Sequence, residues 1–185
     1  TTSGSVPITK GGVTATVVGD NTLVVYGGEG DAGQYYSTVA LLNLEDMTWT
    51  LPVLGGPSPG ARAYHTALLL GANGGDGDDD QQLVFFGGRN KSGVVQPAAA
   101  LAVMDVKRRR WVDVEMAGTA PSAAARFGHC SVQINKMWAH ISGVGAAAGD
   151  TVAVDIESCS WVNDPPGVAA DMMPSVGSGT TSKLE

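Results

Sequence analysis

LVFFGG, residues 83–88, runs apolar and aromatic residues straight into a pair of glycines, and the same event occurs at LVVYGG, residues 23–28. A strand with one wet face alternates apolar and polar residues; these runs do not, so both faces are expected to be covered. Gly27, Gly28, Gly87 and Gly88 then read as bends that use positive φ or bring backbone close to a neighbour. For the second run, Val84 and Phe86 are expected to face one neighbouring layer, and Leu83 and Phe85 the other.

Around these runs the chain repeats itself. Downstream of LVVYGG lie an apolar run ending at Asn43 and then Trp49; downstream of LVFFGG lie LAVMDVK with Asp105 and then Trp111. A third unit has MWAHISGVG, residues 137–145, then TVAVDIE with Asp155 and then Trp161, with Gly143 at its bend. The amide or acid precedes the tryptophan by six residues in all three units, a fixed internal ruler. Two units also share an upstream marker: Arg62 precedes His65, and Arg126 precedes His129, by three residues. Each unit holds four short runs rich in Val, Leu, Thr and aromatics, bounded by turn residues, which read as strands a to d. Helical periodicity free of Gly or Pro is missing, so the fold is predicted to be all-β.

Composition agrees. Glycine numbers 26 of 185, about twice its usual share of roughly 7%, and Phe, Tyr and Trp together only eleven, as expected of many short elements joined by tight turns. The net charge of −7 and a single basic run, Lys107 to Arg110, argue against a nucleic-acid partner. With no apolar stretch approaching 18 residues and no leader-like start, the chain reads as neither membrane-spanning nor secreted on this segment, and as cytoplasmic. Cys130 and Cys159 are expected on strands a and d of one sheet, roughly 14 Å apart at about 4.8 Å per strand, and therefore as free thiols.

Four antiparallel strands per unit of about 50 residues resemble the blades of kelch-repeat β-propellers, a family that includes galactose oxidase-like blades. The resemblance rests on the run into Gly-Gly, the Arg-x-x-His entrance and the ruled Trp, and covers roughly residues 13–163. It divides the chain into an extension (1–12), three blades (13–54, 55–116 and 117–165) and a second extension (166–185). Departures are the missing Arg-x-x-His of the first unit and SGVG in place of Gly-Gly in the third.

In a meander of this kind the a–b and c–d turns share one face of the disc. The b–c loops and the crossings between blades share the other, where the resemblance implies that peptide partners bind. That second face collects Tyr35, Tyr36, Arg89, Asn90 and Lys91 from b–c loops, and Arg62 and Arg126 from the crossings; these seven residues are the expected partner-binding set. The two crossing arginines could anchor a carboxylate or could bridge to a neighbouring blade. His65 and His129, like Trp49, Trp111 and Trp161, read as structural parts of the blade motif, the tryptophans wedged between blades. No catalytic set, metal site or cofactor emerges: the clustered Tyr, His and Cys ligands of a copper oxidase cannot be assembled, and His140 reads as a core histidine. Asp76 to Asp80 offers oxygens to calcium but lacks the bidentate Glu, and reads as a solvated hairpin tip beside the basic turn at Lys107 to Arg110.

The functional expectation is a non-catalytic scaffold for a protein or peptide partner. A propeller enzyme (lyase, epimerase or oxidase) with its site at the channel mouth, and a structural subunit of a large assembly, are the alternatives. Kelch propellers close with more blades than three, so the remaining blades are expected either from a longer parent chain or from a homodimer.

Overall fold

The computed structural model describes residues 1–9, 11–71, 81–96, 99–145 and 150–162. The acidic tip 76–80, with its oxygens offered to calcium, part of the third b–c loop and the tail from 163 onward lie outside these residues.

The strands in chain order are β1 (Ser3–Gly4), β2 (Thr14–Val18), β3 (Thr22–Tyr26), β4 (Val39–Asn43), β5 (Thr48–Thr50), β6 (Thr66–Leu70), β7 (Gln82–Phe86), β8 (Arg89–Asn90), β9 (Gly93–Val94), β10 (Leu101–Asp105), β11 (Arg110–Val112), β12 (Cys130–Ile134), β13 (Met137–Ile141), β14 (Thr151–Asp155) and β15 (Ser160–Val162). They form three antiparallel meanders, β2-β3-β4-β5, β6-β7-β10-β11 and β12-β13-β14-β15, with β8 and β9 a small hairpin inside the second b–c loop. This is the partial propeller of kelch-type blades expected from the repeats. β1, inside the stretch read as an extension, runs parallel to β5 at the outer edge of the first blade. The same contact recurs as bridges from Gly55 to Arg110 and from Ala117 to Ser160, so each crossing starts beside the fourth strand of the blade it is about to build.

The ruler has a local cause. Asn43, Asp105 and Asp155 end the third strands, and their side-chain oxygens accept from backbone N–H groups of the following turn: Glu45 and Asp46, Arg108, and Glu157 and Ser158. Each turn closes through a residue at positive φ, Met47, Arg109 or Cys159, two positions before the tryptophan. A short acid or amide that caps its own turn thus sets the register of the fourth strand. Cys159 accordingly sits in the turn just before β15 rather than on the strand; it and Cys130 are free thiols.

The core lies between the blades. Leu83 and Phe85 pack with Val18, Val24, Tyr26 and Trp111 between the first and second blades; Val84 and Phe86 pack with Trp138, Val152, Val154 and Trp161 between the second and third. The LVFFGG run therefore divides its side chains between two neighbours as its lack of alternation requires. Trp111 and Trp161 are 4% and 7% exposed, each facing the preceding blade, whereas Trp49, on the first blade, is half-buried. Among the described residues no helix is long and apolar enough to cross a membrane.

Candidate interaction face

Arg62 and Arg126 depart from the expected partner-binding role. Both are fully buried. Arg62 donates through Nη1 to the carbonyls of Gly87 and Ala100 (3.3 Å each) and through Nη2 to Pro59 (2.9 Å) and Ala99 (3.2 Å). Arg126 donates to the carbonyls of Ala123 (2.7 Å), His140 (2.9 Å), Ser142 (3.0 Å) and Asp150 (3.0 Å). A guanidinium presents several donors in a fixed fork, which suits the end of a b strand and the start of a c strand better than one carboxylate. Their backbone carbonyls bond the previous blade, accepting from Gly28 N–H and Gly88 N–H at 2.8 Å. Both residues are staples at the blade entrance, out of reach of a partner.

The histidines complete the same joints. His65 Nε2 lies 3.0 Å from Thr14 Oγ1 of the preceding blade, and His129 Nε2 lies 2.9 Å from Thr66 Oγ1. Burial, with the charge of Arg62 and then His129, pushes the His65 imidazole down to about 3; burial and Arg126 push His129 down to about 4. His140, stacked on Phe86, is held well below its usual range, first by burial. In the unfolded chain a histidine takes up its proton near pH ~6.5, so below that pH the unfolded state binds more protons than the native state. The stability from neutral imidazoles is complete above about pH 6.5 and falls on acidification until the folded pKa values are passed, by up to about 1.4 kcal/mol per pH unit for each histidine. Guanidinium unfolding should show a lower midpoint at about pH 5 than at about pH 7, and a shallower dependence in His129→Gln; equal midpoints would contradict buried neutral rings.

The other expected residues come together. Tyr35, Tyr36, Asn90 and Lys91 line one open cleft of about 660 Å³, together with Ile8 and Ala61. It lies where the first and second b–c loops meet two crossings, on the face predicted to carry recognition. Asn90 shapes its wall, its Oδ1 accepting from Ser92 N–H (2.8 Å) so that Lys91 stands at the exposed tip of the β8–β9 hairpin. Beside the cleft the Arg89 guanidinium lies 5.8 Å from the Tyr35 ring centre and 5.1 Å from that of Phe127, a cation–π arrangement with both rings. Tyr64 donates from its hydroxyl to the Glu29 carboxylate, which raises the phenol's pKa. Its backbone has φ +60, where the equivalent residues of the other blades are Gly12 and Gly128. Placing an aromatic residue in that left-handed region carries strain. Glu29, Tyr64 and Phe127 carried no signal in the repeat pattern, because each varies from blade to blade and they meet only when neighbouring blades pack. Among the described residues no group of three or more His, Cys, Asp or Glu is placed to hold a metal ion.

Residues 1–175 match the family model described as the KLHDC2/KLHL20/DRC7 Kelch-repeats domain. The chain belongs to the kelch-repeat family. Among curated proteins, this kelch chain is 28% identical over 162 residues to the acyl-CoA-binding domain-containing protein 4 of Arabidopsis thaliana, covering 86% of the chain and 22% of that protein. It is 31% identical over 133 residues to the human Rab9 effector protein with kelch motifs, covering 71% of the chain and 32% of that protein. The chain thus spans about a fifth to a third of the length of these relatives.

Proposed function

We propose that this chain serves as a protein-interaction module whose partner docks in the cleft between the first and second b–c loops. The observation that carries this reading is the convergence of Tyr35, Tyr36, Asn90 and Lys91, from two blades, on one cleft. Tyrosine rings supply rigid contact area at low entropic cost, and Lys91 and Arg89 supply positive charge on a chain of net charge −7. Membership of the kelch family and likeness to a protein named as a Rab9 effector support a protein partner. The blades act as the rigid frame and the loops as the variable reader, without a catalytic group.

Affinity capture from the native source, with the protein at its full length, tests this. A partner recovered reproducibly should be lost with Tyr36→Ala and with Arg89→Glu combined with Lys91→Glu. It should persist with Glu45→Lys, on a c–d turn of the opposite face. For an interface dominated by a few anchors, each loss should amount to about tenfold or more in affinity. Binding indifferent to the loop variants but abolished by Glu45→Lys would move the site to the other face.

A further inference from the structure

The two joints between the blades share one construction and differ in a residue beside it. At each, a histidine of the blade entrance meets the first threonine of the preceding blade, His65 with Thr14 and His129 with Thr66. Beside His65 the second blade places Phe85, whose ring centre lies 4.8 Å from that of Tyr26. Strand register puts His140 of the third blade at the place of Phe85. The second joint therefore holds two imidazoles, 5.1 Å apart, with His140 stacked on Phe86 at 3.8 Å and set edge-on to Trp138 at 4.4 Å.

Both rings turn to a single hydroxyl. Thr66 Oγ1 lies 2.9 Å from His129 Nε2 and 3.5 Å from His140 Nδ1. A hydroxyl has one hydrogen to give, so it serves one ring while the other ring donates to its oxygen. The far nitrogens, His129 Nδ1 and His140 Nε2, are buried without a hydrogen-bond partner. A proton added to either ring creates a donor that this wall cannot receive and sets a charge against Phe86 and Trp138, where burial penalises it. The groups that face the pair oppose a further positive charge: Arg126, whose guanidinium holds the His140 carbonyl at 2.9 Å, and His65, which feels the charge of His129. Asp150 acts on Arg126, and among the described residues no carboxylate is paired with either ring.

We propose that the second joint is an acid-released latch on the docking face: proton uptake by His129 and His140 parts the second and third blades and draws Phe127 away from Arg89. The link to that face is short. Two backbone bonds of 2.8 Å cross the joint, from Gly88 N–H to the Arg126 carbonyl and from Gly128 N–H to the Tyr64 carbonyl. Phe127, between Arg126 and Gly128, has its ring centre 5.1 Å from the Arg89 guanidinium and 6.3 Å from that of Tyr64. Loss of the two bonds takes this aromatic wall from beside the cleft. An opened joint returns both rings to water, where they take up protons near pH ~6.5. Closure is therefore favoured in full above that pH and weakens on acidification until the folded values are passed, about 4 for His129. The consequence for docking, unlike the latch itself, rests on the reading of this face as the partner's site.

Amide hydrogen exchange of the whole chain, followed residue by residue by NMR at about pH 7 and about pH 5 and corrected for the intrinsic pH dependence of exchange, tests this. The Gly88 and Gly128 amides report on the second joint; those of Gly28 and Tyr64, which bond the Arg62 and Gly12 carbonyls at 2.8 Å, report on the first. Each ring held neutral in the closed joint raises the opening constant roughly 20-fold between these pH values, so the second joint should open roughly 400-fold more readily and the first roughly 20-fold. His140→Phe restores the residue of the first joint, and His129→Gln keeps a donor for Thr66 without a titrating ring. Either should cut the response of the second joint to roughly 20-fold. No rise at Gly88 and Gly128, an equal rise at both joints, or a rise that neither variant reduces overturns the proposal. No partner enters the measurement, so the latch can fail while the loss of capture with Tyr36→Ala stands, and that loss can fail while the latch stands.

Discussion

Trp111→Ala is expected to lower the free energy of unfolding by about 3–5 kcal/mol, the usual range for removing a large aromatic side chain from a packed core. The indole is 4% exposed and sits between blades, with ring centres 5.0 Å from Tyr26 and 5.8 Å from Phe85. Its removal empties space bounded by two sheets that cannot both move in, because each is held by its own ladder and by the entrance staples. Against a typical total stability of about 5–15 kcal/mol the loss is a large fraction. Trp161→Ala, at the same position one blade on and 7% exposed, should behave alike. Trp49→Ala should cost clearly less, since this indole is half-buried where those of Trp111 and Trp161 are buried. Urea unfolding of the three variants checks this; equal losses at all three positions would mean that the tryptophans act within their own blades.

Arg62→Met is expected to destabilise by about 3 kcal/mol, on the scale set by buried carbonyls left without donors at about 1–3 kcal/mol each. Two effects compete. Among the described residues no carboxylate sits against this buried guanidinium, and burial lowers its pKa, so its removal relieves a desolvation cost. Against this, carbonyls of Pro59, Gly87, Ala99 and Ala100 lose a donor together. Ala100 keeps a bond from Gly87 N–H at 2.9 Å, so the buried Gly87 carbonyl loses most, and the part-buried carbonyls of Pro59 and Ala99 lose less. Several carbonyls outweigh one relieved charge. Arg62→Lys should recover only part of the stability, because an ammonium on a flexible stem cannot reproduce the fork. A stable Arg62→Met that binds no partner would return the residue to the interaction surface.

Cys130 and Cys159 show how far register reasoning reaches. Counting strands placed them on the outer strands of one sheet, and both are free thiols; the one-residue shift of Cys159 into the turn reflects the positive-φ residue that the ruler always includes. The crossing strand Ser3–Gly4 escaped notice because a Thr, Ser and Gly composition resembles a linker, and its pairing with β5 comes from a blade edge more than forty residues away.

By itself, then, the sequence determined what neighbouring residues settle: four strands per unit, the turns capped by Asn43, Asp105 and Asp155, and runs apolar on both faces that demand a layer on each side. These are local preferences, repeated three times, and repetition makes them legible. Only the tertiary structure decided what the arginines do and which loop residues share one cleft. A guanidinium beside a bend can point to solvent or into the joint, and the choice depends on whether carbonyls of a distant loop arrive within reach, as Ala99 and Ala100 do for Arg62. The cleft of Tyr35, Tyr36, Asn90 and Lys91 likewise exists because two blades pack at a fixed angle, a relation set by the whole interface between them and written in no single stretch of chain.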